Sequence, residues 1–238
     1  MRNVLYIAGK ELRSYFVSPV AYVIVAFWLV ATGFFFWSSV VSLGEATVRY
    51  VFSVLTILLL LVTPALTMRL LSEESRTGTL ELLLTAPVKD WSVVVGKWIG
   101  ALVLFIAMMA LTLFYPLLLM MLGGDPDWGP IWSGYIGVLL LGMSFLAVGL
   151  FASSLTSNQM VSAVIAFVIL LLLFIIGQVA GNVAAGVGDF LARLSLSDRY
   201  DAFTRGIVDL KDVVFYLTFT AVMLFITVQV LEGRRYRA

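Results

Sequence analysis

The sequence predicts an all-α polytopic membrane protein with six transmembrane helices. Of its 238 residues, 62% are hydrophobic and only 12% are charged, whereas roughly a quarter of the residues in a soluble domain carry a charge. The mean hydropathy is +1.07, and the apolar residues fall into runs of about 20, the length that crosses a bilayer core. An N-terminal interfacial helix, a cytoplasmic helix after the second span and short external helices before the last span complete the predicted fold.

Residues 1–17 are predicted to form an amphipathic helix on the membrane surface. Apolar residues recur at helical spacing on one face, and Arg2, Lys10 and Arg13 lie on the other. The segment is too charged for a signal-peptide core, so it is expected to lie in the headgroup region. The predicted apolar face consists of Val4, Leu5, Ile7, Ala8, Leu12, Tyr15 and Phe16.

Six apolar spans follow, separated by polar links. Pro64 is expected to kink the second span near its end, Lys97 to extend its amine from the third span to the interface, and residues 34–37 to form an interfacial aromatic belt. The predicted spans are 20–41, 50–68, 92–122, 131–155, 160–179 and 213–231. The single domain of 1–238 divides into a surface helix (1–17), spans one and two (20–71), a loop (72–90), spans three to five (91–179), an external cap (180–211), span six (212–232) and a basic tail (233–238).

Lysine and arginine are distributed unevenly between the two sides of this predicted bundle. Three precede the first span, four lie in or beside the loop after the second, and three follow the last, which places ten on one side and five on the other. Because cytoplasmic segments carry the excess of basic residues, both termini and that loop are predicted to be cytoplasmic.

The polar segment 181–211 on the opposite side is predicted to fold into short amphipathic helices that cap the bundle. Tyr200 and Phe203 recur at helical spacing, and Arg205 with Gly206 follows them. Gly206 is expected to end a helix with a positive φ.

The charged stretch 69–97 lies between the second and third spans. Gly78 and Thr79 precede the run LELLLT, which is predicted to be a short helix at 80–85 that Pro87 ends. Two interpretations fit this helix: it lies on the lipid interface, or its leucines fill a groove on a soluble partner.

Several classes of chemistry are excluded or disfavoured by composition. The chain has no cysteine and no histidine, which removes disulfides, thiol chemistry and the usual zinc and copper sites. The net charge of +1 gives no sign of a nucleic-acid partner. Gly96-Lys97-Trp98 lacks the pattern of a phosphate-binding loop, and no predicted span has a charged residue at its middle, as an ion-driven transporter needs. No catalytic, metal or cofactor site is therefore predicted, and the energy source is expected in another chain.

Two stretches resemble a known family. Residues 72–97, SEESRTGTLELLLTAPVKDWSVVVGK, look like the loop between the second and third spans of type-2 ATP-binding-cassette (ABC-2) exporter permeases, where the loop carries a coupling helix. Residues 197–219, SDRYDAFTRGIVDLKDVVFYLTF, are similar to the branch that includes gliding-motility and nitrous-oxide-reductase maturation permeases. The surface helix at 1–17 then corresponds to the connecting helix of that family, which borders the ATPase.

The resemblance implies a permease subunit in the cytoplasmic (inner) membrane of a prokaryote that moves a substrate outward. It implies two copies of an ABC ATPase subunit, which bind ATP and Mg, and a second permease subunit, identical or paralogous. The residues expected to face the ATPase are Lys10, Arg13, Glu73, Glu74, Arg76, Gly78, Thr79, Leu80, Glu81, Leu82, Leu83 and Leu84. Two alternatives stay open: a scaffold or mechanotransmission subunit that only anchors an ATPase, and an intramembrane enzyme, for which the spans offer only lone hydroxyls.

Overall fold

The computed structural model describes residues 2–43, 49–79, 88–121, 123–124, 126–180 and 195–235. Within these ranges every regular element is a helix. In chain order the helices are α1 (Arg2–Val17), α2 (Pro19–Leu43), α3 (Arg49–Thr67), α4 (Ser72–Thr77), α5 (Asp90–Thr112), α6 (Phe114–Met121), α7 (Trp128–Leu155), α8 (Gln159–Ala180), α9 (Leu196–Thr204) and α10 (Leu210–Arg235).

Six segments of the described chain are long and apolar enough to cross a membrane, which confirms the predicted fold class. The segments are Pro19–Val40, Tyr50–Thr77, Asp90–Met121, Trp128–Leu155, Gln159–Ile176 and Leu210–Arg234. The chain is therefore an integral membrane protein built from one bundle of helices.

The fourth span, α7, lies at the centre of the bundle and is the most buried of the six, whereas α8 and α10 leave most of their surface uncovered. Its glycines allow neighbouring helices to approach closely. A Cβ on Gly142 would lie 2.2 Å from the Phe105 ring of α5, and one on Gly149 would lie 2.2 Å from the Thr67 hydroxyl of α3. Small residues at helix contacts are the usual way to pack helices where no hydrophobic effect drives them together.

The third span is interrupted, which corrects the prediction of one continuous helix over 92–122. Helix α5 ends at Thr112 and α6 begins at Phe114. Pro116 explains the break, because it has no N–H and its ring excludes the carbonyl four residues earlier. That carbonyl belongs to Thr112, and it accepts a hydrogen bond of 2.9 Å from the Tyr135 hydroxyl of α7. A carbonyl without a helical partner is thereby satisfied inside the membrane, as the apolar surroundings require.

The aromatic residues at the end of α2 do not all belong to an interfacial belt, as was predicted for 34–37. Phe34 and Trp37 are exposed on the bundle surface, but Phe36 is buried. Its ring stacks on Tyr115 with centroids 4.9 Å apart. One member of the aromatic run is therefore a packing residue between the first and third spans.

Candidate functional site at the α1, α4 and α5 junction

Helix α4 begins directly after the second span and is held against the end of α7. The chain turns over 68–71, and the Ser153 hydroxyl of α7 accepts hydrogen bonds of 3.0 Å from the backbone N–H groups of Leu71 and Ser72. The Ser72 hydroxyl donates to the Met68 carbonyl. The amides at the start of a helix have no partner within the helix, and Ser153 supplies one for them. The start of α4 is therefore fixed to the membrane-spanning bundle.

Lys97 of α5 is fully buried at this junction and pairs with two carboxylates. Its ammonium lies 2.5 Å from an oxygen of Glu11 in α1 and 2.9 Å from an oxygen of Glu74 in α4. Only 1% of Lys97 is exposed, so the expectation that its amine extends to the interface is wrong. We call these three residues the Lys97 cluster; they join three helices that are distant in the sequence.

The Lys97 cluster carries a net charge of −1 and reaches solvent only through its carboxylates. The side chains of Glu11 and Glu74 are 14% and 18% exposed. Two open cavities of about 470 and 190 Å³ lie beside them, and both are lined by Glu11, Glu74 and Lys97. A charge without a partner in such a place is costly, whereas a cation held by two anions is tolerated.

Helix α1 packs directly on α5, and two glycines explain how it comes so close. A Cβ on Gly96 would lie 2.9 Å from the Cβ of Ile7, and one on Gly100 would lie 2.7 Å from the Cβ of Glu11. Glycines four residues apart make a flat strip on a helix that a second helix can contact. Lys97 lies between these two glycines in the sequence, so the contact between α1 and α5 buries its ion pair with Glu11.

The packed face of α1 differs from the predicted apolar face. Leu5 and Phe16 are exposed, whereas Glu11 lies toward α5. Tyr15 also faces the bundle, and its hydroxyl donates a hydrogen bond of 2.7 Å to the Leu66 carbonyl. Burial, together with the nearby Glu11 carboxylate, raises the pKa of the Tyr15 phenol well above its usual value. Because these contacts are made with α3 and α5, α1 is part of the bundle as well as a surface helix.

Three further polar contacts tie this end of the molecule together. Arg69, after α3, donates to Glu73 at 2.9 Å and to the Ser18 hydroxyl at 2.8 Å. Arg234, near the end of α10, donates to the Ser75 hydroxyl at 3.1 Å. The start of the chain, α4 and the end of the last span therefore meet on one side.

The structure separates the residues that were predicted to face the ATPase into three groups. Glu73 forms an ion pair with Arg69, and Glu74 forms one with Lys97, whereas Arg76 is exposed at the end of α4. Lys10 and Arg13 are exposed on α1. Leu80, Glu81, Leu82, Leu83 and Leu84, and the predicted helix at 80–85 with them, lie outside the described residues.

Gly78 and Thr79 were predicted to cap the helix at 80–85, and the structure gives them contacts with α4. Gly78 has a φ of 71° and ends α4, a conformation that glycine adopts without strain. The Thr79 hydroxyl lies 2.9 Å from that of Thr77. The prediction missed α4, whose C-terminal cap is Gly78.

The described part of the predicted external cap contains one helix, α9, which packs against the spans. Tyr200 and Phe203 are buried. The Tyr200 hydroxyl donates to the Phe52 carbonyl at 3.0 Å, and the Phe203 carbonyl accepts from Ser133 at 2.7 Å. Burial raises the pKa of the Tyr200 phenol well above its usual value. Residues 181–194 of the predicted cap lie outside the described residues.

The end of α9 follows the prediction for Gly206. Its φ is 90°; its N–H donates to the Phe203 carbonyl, and the N–H of Ile207 donates to the Ala202 carbonyl. This pair of hydrogen bonds defines a Schellman motif. The predicted Arg205 is exposed beside it.

An ion pair fixes α9 to the last span. Arg199 of α9 lies 2.6 Å from Asp212 of α10 and 4.0 Å above the ring of Phe215. Arg199 and Asp212 were not predicted to pair.

Glu11, Gly96 and Gly100 are residues of the candidate site that the sequence did not predict. Gly96 and Gly100 have the spacing of a close helix contact. Glu11 stands four residues from Ile7 and from Tyr15, and so within the apolar stripe of α1. An acidic residue inside an apolar stripe, Glu11, and a lysine inside a span, Lys97, together indicate an ion pair between the two helices.

The described residues form a bundle of six membrane spans, with α1 and the interspan helix α4 joined at one end. The sequence model of the family described as ABC-2 family transporter protein matches residues 52–237. The chain therefore belongs to the ABC-2 family and is the permease subunit of an ABC transporter, without a catalytic role of its own. Membership of this family implies an ABC ATPase as partner. No curated protein sequence matches the chain.

Proposed function

We propose that the chain is the membrane-spanning half of an exporter in which an ATPase subunit binds at the α4 end and drives the spans through the Lys97 cluster. The observation that carries this proposal is the burial of Lys97 between Glu74 and Glu11. Glu74 lies in the loop that the family resemblance assigns to the ATPase contact, and Lys97 lies in a span. A displacement of the loop is thereby passed directly to α5 and α1.

The placement of charges supports an external energy source. Within the described chain, the buried charged residues are Asp90, Lys97 and Asp212, and each lies in the first turns of its helix. Coupling to an ion gradient usually needs a titratable group near the middle of the membrane. We therefore propose that two copies of a partner subunit supply the energy for transport by hydrolysing ATP with Mg. A second permease of the same or a related sequence completes the proposed complex.

Leu82 and Leu83 are proposed to supply the apolar contact with the ATPase. We expect the Leu82→Ala, Leu83→Ala double variant to bind the ATPase at least tenfold more weakly, because truncating one fully desolvated leucine removes roughly 1.5 to 3 kcal/mol of burial. Recovery of the ATPase and substrate-stimulated hydrolysis are measured in the reconstituted complex. Leu210→Ala, at an exposed position on the opposite side, is the control.

The same experiment separates the exporter from a scaffold. If ATPase recovery and substrate-stimulated hydrolysis both fall, the loop binds the ATPase and couples ATP hydrolysis to the spans. If substrate never stimulates hydrolysis in the wild-type complex, the subunit anchors an ATPase without transport. If the double variant behaves as the wild type does, the segment is only an interfacial anchor and the docking proposal is wrong.

The proposed orientation places both termini and α4 in the cytoplasm of a prokaryote. Because the chain has no cysteine, single cysteines report on sidedness. Arg76→Cys and Arg205→Cys change exposed residues on opposite sides. An impermeant maleimide added to sealed cells is expected to label Arg205→Cys, and to label Arg76→Cys only after permeabilisation. The reverse pattern would refute the orientation.

The similarity of residues 197–219 to permeases of gliding motility and nitrous-oxide-reductase maturation supports a narrower proposal, that the complex belongs to that branch. This stretch covers part of α9 and α10, including the Arg199–Asp212 ion pair. Copurification of the intact complex, followed by identification of its other chains and bound small molecules, tests the assignment. Partners unrelated to either system would contradict it.

A further inference from the structure

A groove at the turn between α1 and α2 carries three cationic side chains. This elbow groove has a volume of about 600 Å³ and is lined by Lys10 and Arg13 of α1 and by Arg69. Among the described residues, neither Lys10 nor Arg13 forms an ion pair, whereas Arg69 is neutralised by Glu73. The elbow groove therefore has two positive charges in excess.

The other part of the elbow groove is apolar and lies where the first span begins. Val17, Pro19 and Val20 line it, and the first membrane-spanning segment starts at Pro19. Val17 is 76% exposed and Val20 is 40% exposed. The groove thus joins two cations to apolar side chains at the start of the first span.

We propose that the elbow groove binds the headgroup of an anionic phospholipid from the leaflet that borders α1. The phosphate lies against Lys10 and Arg13, which form charge-assisted hydrogen bonds with its oxygens, and the start of the acyl chain covers Val17 and Val20. Basic side chains next to a membrane gain affinity from anionic lipids in this way. The apolar part at the start of the span favours a lipid over the ATPase as the ligand of these two cations, which the family resemblance had placed at the ATPase contact.

A lipid in the elbow groove is expected to affect the Lys97 cluster, because both sites include residues of α1. Lys10 lines the groove and the two cavities beside the cluster, and Glu11 is its neighbour in the chain. A lipid bound at Lys10 and Arg13 holds α1 at the membrane surface while Glu11 holds it to α5. The proposal does not depend on the direction of transport or on the substrate.

The test measures lipid binding to the full-length permease. Delipidated protein in detergent is titrated with dioleoyl phosphatidylglycerol, dioleoyl phosphatidylcholine or inorganic phosphate, and bound lipid is counted by native mass spectrometry. The Lys10→Gln, Arg13→Gln double variant is expected to bind phosphatidylglycerol roughly thirtyfold more weakly, because two cations close to the headgroup are lost. Its binding of phosphatidylcholine is expected to be unchanged.

The matched control removes two other exposed cations from the same end, Arg2 and Arg76, which do not line the elbow groove. Arg2→Gln, Arg76→Gln is expected to keep the wild-type affinity for phosphatidylglycerol. An equal loss in this control means a diffuse charge effect and overturns the proposal, as does equal affinity of the wild type for both lipids. Displacement of phosphatidylglycerol by inorganic phosphate at similar concentrations assigns the site to free phosphate and overturns it too.

A second measurement decides between lipid and ATPase. Recovery of the ATPase by the Lys10→Gln, Arg13→Gln permease is expected to equal that of the wild type. If recovery falls while phosphatidylglycerol binding stays intact, the two cations belong to the ATPase contact and the lipid proposal is overturned. Thermal unfolding of each variant shows that the protein remains folded.

Discussion

The Lys97→Met variant is expected to lose about 3 kcal/mol of stability, because it leaves the carboxylates of Glu11 and Glu74 without their cation. Removing one partner of a buried ion pair typically costs roughly 3 to 5 kcal/mol. The lower end applies because both carboxylates are partly exposed beside open cavities, where water relieves part of the cost. The midpoint of thermal unfolding in detergent measures the loss.

The matched control for this variant is Lys211→Met. Lys211 pairs with Asp209 at 2.8 Å, but the lysine side chain is 74% exposed, and exposed ion pairs contribute little to stability. If Lys97→Met unfolds no earlier than Lys211→Met, the Lys97 cluster does not hold the junction together.

A triple variant, Lys97→Met with Glu11→Gln and Glu74→Gln, separates stability from coupling. Replacing a buried ion pair by apolar residues of similar volume is often close to neutral in stability. The two new amides lie beside open cavities where water can reach them, so the triple variant is expected to unfold closer to the wild-type midpoint than Lys97→Met does. Its substrate-stimulated ATP hydrolysis is still expected to be reduced, because no charge links α4 to α5. Wild-type stimulation in the triple variant would limit the Lys97 cluster to a structural role.

The fold was predictable because a bilayer restricts what the chain can do. Every backbone polar group inside lipid must be satisfied within a helix or by a neighbour, so six apolar runs predict six helices of a known length. The break at Leu113 escaped because a proline in a span can also be tolerated as a kink, as at Pro64, which lies inside α3. Whether the helix stops depends on a partner for the carbonyl of Thr112, and Tyr135 supplies it from 23 residues away.

The candidate site was predictable in its location but not in its contacts. The charged loop after the second span indicated where a partner would bind, and Glu73, Glu74 and Arg76 were selected from it. Their separation into paired and exposed residues depends on side chains elsewhere in the chain. Glu74 meets Lys97 at the place where α1 covers α5.

Lys97 shows most clearly which contacts the sequence pattern of a single helix cannot predict. A lysine near the end of a span usually extends to the interface, and that rule holds when lipid surrounds the helix. Here α1 packs over Gly96 and Gly100, so the amine is covered by protein and bonds to Glu11. The rule failed because periodicity within one helix contains no information about which helix lies against it.

Gly100→Leu is expected to detach α1 from α5. A Cβ at this position would lie 2.7 Å from the Cβ of Glu11 and 3.2 Å from the carbonyl oxygen of Ala8. One of these atoms is backbone and the other is a Cβ, so neither can move without α1, and overpacking typically costs roughly 1 to 3 kcal/mol or more. We expect a lower unfolding midpoint together with loss of the ion pair between Glu11 and Lys97.

Gly9→Leu is the matched control, because it places the same side chain on α1 where no atom lies within 4 Å. Replacing glycine in a helix gains up to about 1 kcal/mol in helix propensity at either position, so only the contact with α1 distinguishes the two variants. A cysteine at Ala8, which is buried in the wild type, reports the position of α1 through its rate of labelling by a maleimide. Labelling should accelerate in Gly100→Leu and stay slow in Gly9→Leu. Equal rates in both would show that α1 is held by other contacts and that the glycine strip does not position the Lys97 cluster.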